Sequence, residues 1–256
     1  MTTFDAVSTR FDMGRVASRT FGVIGRNFVV FLLLAVVLAG VPQGIARYFS
    51  QSAVLGGGGV WASLISLIAG LIGFVGVAVL QAALIHGTIS DLNGKKADFG
   101  DCLSTGLKFL LPVIGISILT GLAVGFGCLL LLVPGVMLGL AWCVNVPVVV
   151  VERKEVFAAF GRSADLTRGH RWAILGLIVV WALAVWLIDV VGIAATAGFS
   201  LEGLARGAFN GPQWALLTVL QVIQSLIAAA GVASIYYELR STKEGVGPES
   251  LAAVFD

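Results

Sequence analysis

Residues 109–151 are 43 consecutive positions without one charged side chain. A helix rises 1.5 Å per residue, so one unbroken helix here would be about 64 Å long, twice the roughly 30 Å hydrocarbon core of a bilayer. The stretch must be a membrane hairpin, with spans expected near 109–132 and 136–151. Two places offer the reversal, Gly125-Phe126-Gly127 and Pro134-Gly135. The second is preferred because Pro-Gly is the stronger breaker. Asn145-Val146-Pro147 is expected to kink the second span. The GxxxG pairs Gly121/Gly125 and Gly135/Gly139 would let the two helices approach closely.

The rest of the chain follows the same plan. Only 12% of residues are charged, where a soluble domain carries about 25%. That leaves too little polar surface to cover a water-soluble globule. Further apolar runs place spans near 28–45, 60–85, 172–197 and 214–236. The expectation is an all-α polytopic bundle of six transmembrane helices in a single integral membrane domain. Pro42 and Gly44 should end or kink the first span, which is too long for a signal-peptide core and reads as retained. Residues 46–59 read as an outer connection, with a flexible linker at Gly56–Gly59. Gly70, Gly73 and Gly76 would leave a groove for a close helix neighbour. The connection 199–213 has a short amphipathic core at Leu201, Leu204 and Ala205.

Three amphipathic stretches punctuate the apolar runs. Met13, Ala17, Phe21, Ile24 and Phe28 recur at helical spacing opposite Arg15, Arg19 and Arg26. After an N-cap at Asp98, Phe99, Cys102, Leu103, Gly106 and Leu107 line one side, and Lys108 faces elsewhere. In 153–170, Val156, Phe157, Phe160 and Ala164 fall together, opposite Glu155, Arg162 and Asp165. Arg168 lies at the boundary, and Leu166 is out of place. Each stretch reads as a helix in the membrane interface that runs into a span at Phe28, Phe109 or Trp172. The chain thus reads as an interfacial helix plus a hairpin, three times over, a parallel-repeat plan. The alternative is that every hairpin needs a cation and an aromatic at its inner end.

Charge gives the orientation. Fourteen Lys and Arg residues fall on one side of the expected spans, against Arg47 and Arg206 on the other. The positive-inside rule then places both termini in the cytoplasm.

Pro147–Glu152, Ala158–Ser163 and Leu166-Thr-Arg-Gly-His-Arg-Trp172 resemble the bacterial glycerophosphodiester phosphodiesterase membrane domain and related six-span inner-membrane proteins. Pro134-Gly135, Tyr236-Tyr-Glu-Leu-Arg240 and Glu244-Gly245 fit as well. The resemblance covers nearly the whole chain and implies the six-span topology and a link to envelope or lipid biology. The name-giving members carry a fused soluble phosphodiesterase barrel. None is expected here, so the enzyme activity is not implied.

Few residues offer chemistry. No HExxH, Cys/His cluster, GxSxG or Walker motif occurs, so no enzyme activity, metal or cofactor is expected. Cys102, Cys128 and Cys143 read as small packing residues, and no basic stripe suggests nucleic acid. Arg15, Arg19, Arg26, Lys108, Arg153, Arg162, Arg168 and Arg171 are candidates to bind anionic phospholipid headgroups. Glu152 would join the arginines of the third interfacial stretch in an ion-pair cluster. Asp189, the one acidic residue deep in a span, is a functional candidate, with Asn145, Gln221 and Gln224 as polar neighbours. Two functions follow. The first is a lipid-interacting scaffold, partnered by anionic phospholipids and by further copies or other membrane proteins. The second is a small lipid or solute transporter built on Asp189.

Overall fold

A computed structural model describes residues 11–54, 59–197 and 211–245. The connection around Leu201, Leu204 and Ala205, Arg206, and most of the glycine linker lie outside these residues. Among the described residues the regular structure is all helical, with six helices long and apolar enough to cross a membrane. We number the helices α1 Met13–Arg26, α2 Phe28–Ala35, α3 Val41–Val54, α4 Gly59–Leu92, α5 Phe99–Lys108 and α6 Leu110–Leu130. They continue with α7 Leu132–Ala141, α8 Asn145–Glu152, α9 Val156–Thr167, α10 Arg171–Ala197 and α11 Gly211–Glu244.

The short helices α1, α5 and α9 each precede a span. The first two junctions are single residues of nearly the same conformation, Asn27 (φ −117°, ψ 23°) and Phe109 (φ −95°, ψ 9°). At each, the helical hydrogen-bond ladder passes across the corner, with Phe31 N–H donating to the Asn27 carbonyl and Val113 N–H to that of Phe109. The third junction is a turn through Arg168, Gly169 and His170, with Gly169 at φ +91°. The three units therefore share an order, and two of them share a joint.

Three sequence expectations about breaks are corrected. The chain does not end its first span at Pro42–Gly44. A π turn at Val36–Gly40 joins α2 to α3, with Val41 N–H donating to the Val36 carbonyl, and the helix runs on to Val54 through residues expected to be a connection. Pro42 lacks an N–H and cannot donate to the Leu38 carbonyl. That carbonyl instead lies against Gly76 of α4, where a Cβ would collide with it.

The reversal between the third and fourth spans is at neither proposed site. It is a single extended residue, Leu131 (φ −155°, ψ 131°). Pro134 sits in the first turn of α7, where its missing N–H costs no helical bond. The close approach of α6 to α7 is made by Gly127 and Gly135, the latter over Cys128. Gly121 and Gly125 face open space, and a Cβ at Gly139 would only graze Val124. The kink expected at Asn145–Pro147 is a full break at Trp142–Val144. Carbonyls exposed by such a break need donors. Ser163 and Thr167 of α9 supply hydroxyls to the Ala141 carbonyl, at 2.9 and 3.3 Å.

Two apolar cores lie along α4 and α11. One gathers Ile85, Val113, Ile116, the valines of α8, Leu166, Ile174 and Tyr236. The other gathers Phe31, Leu34, Leu80, Leu84, Cys102 and Leu226. Small residues serve the packing. Gly106 of α5 lies on Val79, whose carbonyl a Cβ would approach to 2.6 Å.

Candidate functional site

The polar chemistry is concentrated at the end of the bundle where α1, α5 and α9 meet the last turns of α4, α8 and α11. We call this the charged end.

Helix α1 begins at Asp12, whose carboxylate accepts from the N–H groups of Gly14 and Arg15 at 2.7 and 3.2 Å. Its core-facing residues are Val16, Thr20 and Val23. The apolar stripe chosen from the sequence faces outward, with Phe21 59% exposed. Of the arginines opposite that stripe, Arg15 and Arg19 turn inward and Arg26 stays at the exposed rim. Arg15 and Arg19 both meet Glu238 of α11, Arg15 at 2.7 Å. Glu238 is 1% exposed and also accepts from Asp12 N–H at 3.4 Å. Arg19 lies over the Tyr237 ring, 5.1 Å from its centroid. Arg26 binds Asp91 at the end of α4 through Nε at 3.0 Å and through Nη2. Its pKa is raised by that hydrogen bond against the opposing effect of burial. Asn27 locks the same corner, donating to Asp91 at 2.7 Å and accepting from Ala97 N–H at 3.2 Å.

A second cluster forms around Glu152, the last residue of α8. Arg162 of α9 donates to both its carboxylate oxygens, at 3.1 and 3.0 Å, and Tyr236 donates its hydroxyl at 3.0 Å. Lys154, rather than the expected Arg153, completes the pairing at 3.7 Å. Arg153 instead adopts the left-handed conformation at φ 53° that ends α8. Arg162 also pairs with Glu244, which Arg240 holds at 2.9 Å. Burial lowers the Arg162 pKa, but these carboxylates outweigh it and the net shift is upward. Leu166, out of place on the amphipathic wheel, is a core residue.

The eight candidate headgroup cations thus divide evenly. Arg15, Arg19, Arg26 and Arg162 are engaged by carboxylates. Lys108, Arg153, Arg168 and Arg171 have no carboxylate within ion-pair distance among the described residues. Arg168 and Arg171 flank His170, whose pKa is lowered first by burial and then by the Lys243 charge. Lys243 itself donates to the Asp165 carbonyl of α9. Phe157, 79% exposed, and Trp172, 81% exposed, stand among these cations.

Of the polar residues in the spans, Asp189 accepts from Gln224 Nε2 at 2.8 Å. Gln221, one turn away on α11, accepts instead from Arg47 of α3 at 3.4 Å. Asn145 is elsewhere, donating to the Thr120 hydroxyl at 2.6 Å. Sequence reasoning missed Glu238, Asp91 and Glu244 as organising residues. Glu238 and Glu244 stood in the closing motifs without a role, and nothing local linked them to α1 or α9.

No protein-family model matches the chain, and no solved structure matches it. The chain is similar to a UPF0259 membrane protein of Pectobacterium carotovorum, 36% identical over 92 residues. That stretch covers 36% of this chain and 37% of the relative's length. The relative's name states a membrane protein and no activity. The likeness therefore supports an integral membrane protein and carries no link to the glycerophosphodiester phosphodiesterase membrane domain.

Proposed function

We propose that this is a non-enzymatic, lipid-interacting protein of the bacterial inner membrane with a scaffold role in envelope or lipid homeostasis. The observation that carries this reading is the set of four cations, Lys108, Arg153, Arg168 and Arg171, without carboxylate partners among the described residues at the charged end. Exposed aromatic and apolar side chains beside them suit a headgroup boundary, where Trp and long cations both settle. Glu152, Glu238, Glu244 and Asp91 are already occupied by other cations. Anionic phospholipid headgroups are the counterions this geometry calls for. The positive-inside bias puts the charged end, and both termini, in the cytoplasm. The resemblance to the phosphodiesterase membrane domain supports the lipid setting and not the activity. A second copy of the chain is the partner that the open Gly121/Gly125 face of α6 would admit.

The test is native mass spectrometry of the protein released from nanodiscs containing phosphatidylglycerol. Each basic residue near a membrane surface contributes about 1 kcal/mol, so replacing Arg168 and Arg171 together by Gln should weaken anionic-lipid retention about thirty-fold. Retention equal to the parent's would refute the reading.

A second reading, a small transporter, rests on Asp189. A carboxylate hydrogen-bonded within a span is a candidate ion or proton site. It requires that Asp189→Asn abolish a flux in proteoliposomes. An unaffected flux, or none in the parent under any imposed gradient, removes it.

A further inference from the structure

At the turn between α9 and α10, cations from three helices meet. Arg168 follows α9, Arg171 opens α10 and Lys243 arrives from the end of α11. Lys243 donates to the Asp165 carbonyl of α9, which uses one of its three ammonium hydrogens. Its charge is within electrostatic reach of Arg162, Arg168, Arg171 and the Asp165 carboxylate. The Nε of Arg171 is buried and has no hydrogen-bond partner among the described residues, and a buried donor of this kind calls for an acceptor. The backbone adds donors. Ile174 N–H donates to the His170 carbonyl at 3.0 Å, so the N–H groups of Arg171, Trp172 and Ala173 lie ahead of the α10 ladder.

Charge selects the ligand. Arg162 and Arg240 are offset by Glu152 and Glu244. His170 adds no charge, because burial and then the Lys243 charge lower its pKa, and its ring lies against Phe11, with centroids 5.9 Å apart. What remains is Arg168, Arg171 and Lys243 against Asp165, three cations to one carboxylate and a net charge of +2. A phosphodiester carries a single negative charge and leaves half of that unmatched. A phosphomonoester carries about −1.5 to −2 at pH 7 and presents three terminal oxygens. Those oxygens suit two guanidiniums, an ammonium and the leading N–H groups of a helix, all of them good phosphate donors. Trp172, 81% exposed, follows Arg171 directly and marks the bilayer surface beside the turn, which favours a headgroup over a dissolved anion.

We propose, as an inference that rests on the lipid role above, that the α9–α10 turn binds the terminal phosphate of a phosphomonoester lipid such as phosphatidate, held between Arg168, Arg171 and Lys243, in preference to the phosphodiester of phosphatidylglycerol. Lys243 brings the third cation that a doubly charged phosphate matches. Asp165 holds the balance at +2 by offsetting one of the three.

The test is native mass spectrometry of the full chain released from phosphatidylcholine nanodiscs doped equally with phosphatidate and phosphatidylglycerol. Phosphatidate should be retained about five-fold over phosphatidylglycerol, the effect of one further charge matched by a basic residue near a surface. Lys243→Gln should erase that preference, and Lys243→Arg should keep it. If Lys243→Gln fails to fold, Asp165→Asn gives the opposite sign and should raise retention of both anionic lipids about five-fold. Inorganic phosphate in excess should leave the retained phosphatidate unchanged. Equal retention of the two anionic lipids, with both lost in Arg168→Gln/Arg171→Gln, would overturn the phosphomonoester preference and leave the lipid role standing. No enrichment of either over phosphatidylcholine would remove both. Displacement of phosphatidate by inorganic phosphate would mark a site for a dissolved anion and overturn the headgroup assignment.

Discussion

Helices α1 and α9 share one sequence design, and the structure uses them differently. Both are short amphipathic helices ahead of a span, α1 with Arg15, Arg19 and Arg26 opposite its apolar stripe and α9 with Arg162 opposite its own and Arg168 and Arg171 just after it. In α1, Arg15, Arg19 and Arg26 are each claimed by a carboxylate from a distant part of the chain, Glu238 or Asp91. In α9 and the turn after it, Glu152 and Glu244 claim Arg162, while Arg168 and Arg171 have no carboxylate within ion-pair distance among the described residues. Helix α1 is thereby a clamp between the first and last spans. The α9–α10 turn carries the cations that the proposed lipid role draws on. An amphipathic pattern with cations marks the membrane boundary, and the acidic partners decide whether those cations serve the fold or a ligand.

The largest effect expected from this contrast is at Glu238. Removing one member of a buried ion-pair set leaves uncompensated charge. Glu238→Ala should cost about 3 kcal/mol, the low end of that range because both guanidiniums are partly exposed, and should lower the thermal unfolding midpoint in detergent. An unchanged midpoint would mean that α1 is not clamped. Next comes the double variant Arg168→Gln/Arg171→Gln, which should lose about 2 kcal/mol of anionic-lipid affinity while unfolding within about 0.5 kcal/mol of the parent. Raised salt should mimic its loss of lipid.

Smaller effects sharpen the joints. Asp91→Asn should cost about 1 kcal/mol, since Arg26 is largely solvent-exposed and its pair is screened, and hydrogen exchange at the Asn27 corner should quicken. Thr167→Val should cost about 1 kcal/mol or less, because Ser163 still serves the Ala141 carbonyl,. Smallest in energy is Cys102, whose thiol is pushed up to about 11, first by burial. The thiolate is the reactive form, so maleimide labelling of Cys102 should be negligible at neutral pH and should rise only as pH approaches that value. Ready labelling at neutral pH would show that α5 does not seal against α4.

Much of the architecture was legible because composition and periodicity are direct physical signals. The long apolar runs give spans, and Asp98 caps α5 through the N–H groups of Gly100 and Asp101, as its position suggests. Orientation of the helix faces was less legible. An interfacial reading of α1 allows the exposed Phe21, but it does not foresee that Arg15 and Arg19 turn to Glu238 or that Val16 and Thr20 pack inward. The reversal escaped because one extended Leu131 suffices where both flanking helices start and stop within apolar sequence. The ion-pair partners escaped because nothing in the sequence around Arg19 points to Glu238, 219 residues away.

The most direct test is a paired measurement in nanodiscs, with lipid retention by native mass spectrometry and unfolding recorded on the same two variants. Arg15→Gln/Arg19→Gln should unfold earlier and keep its anionic lipid, whereas Arg168→Gln/Arg171→Gln should keep its stability and lose lipid. Equal lipid loss from both variants, or lipid loss confined to the α1 variant, would contradict the division between clamp and binding cations.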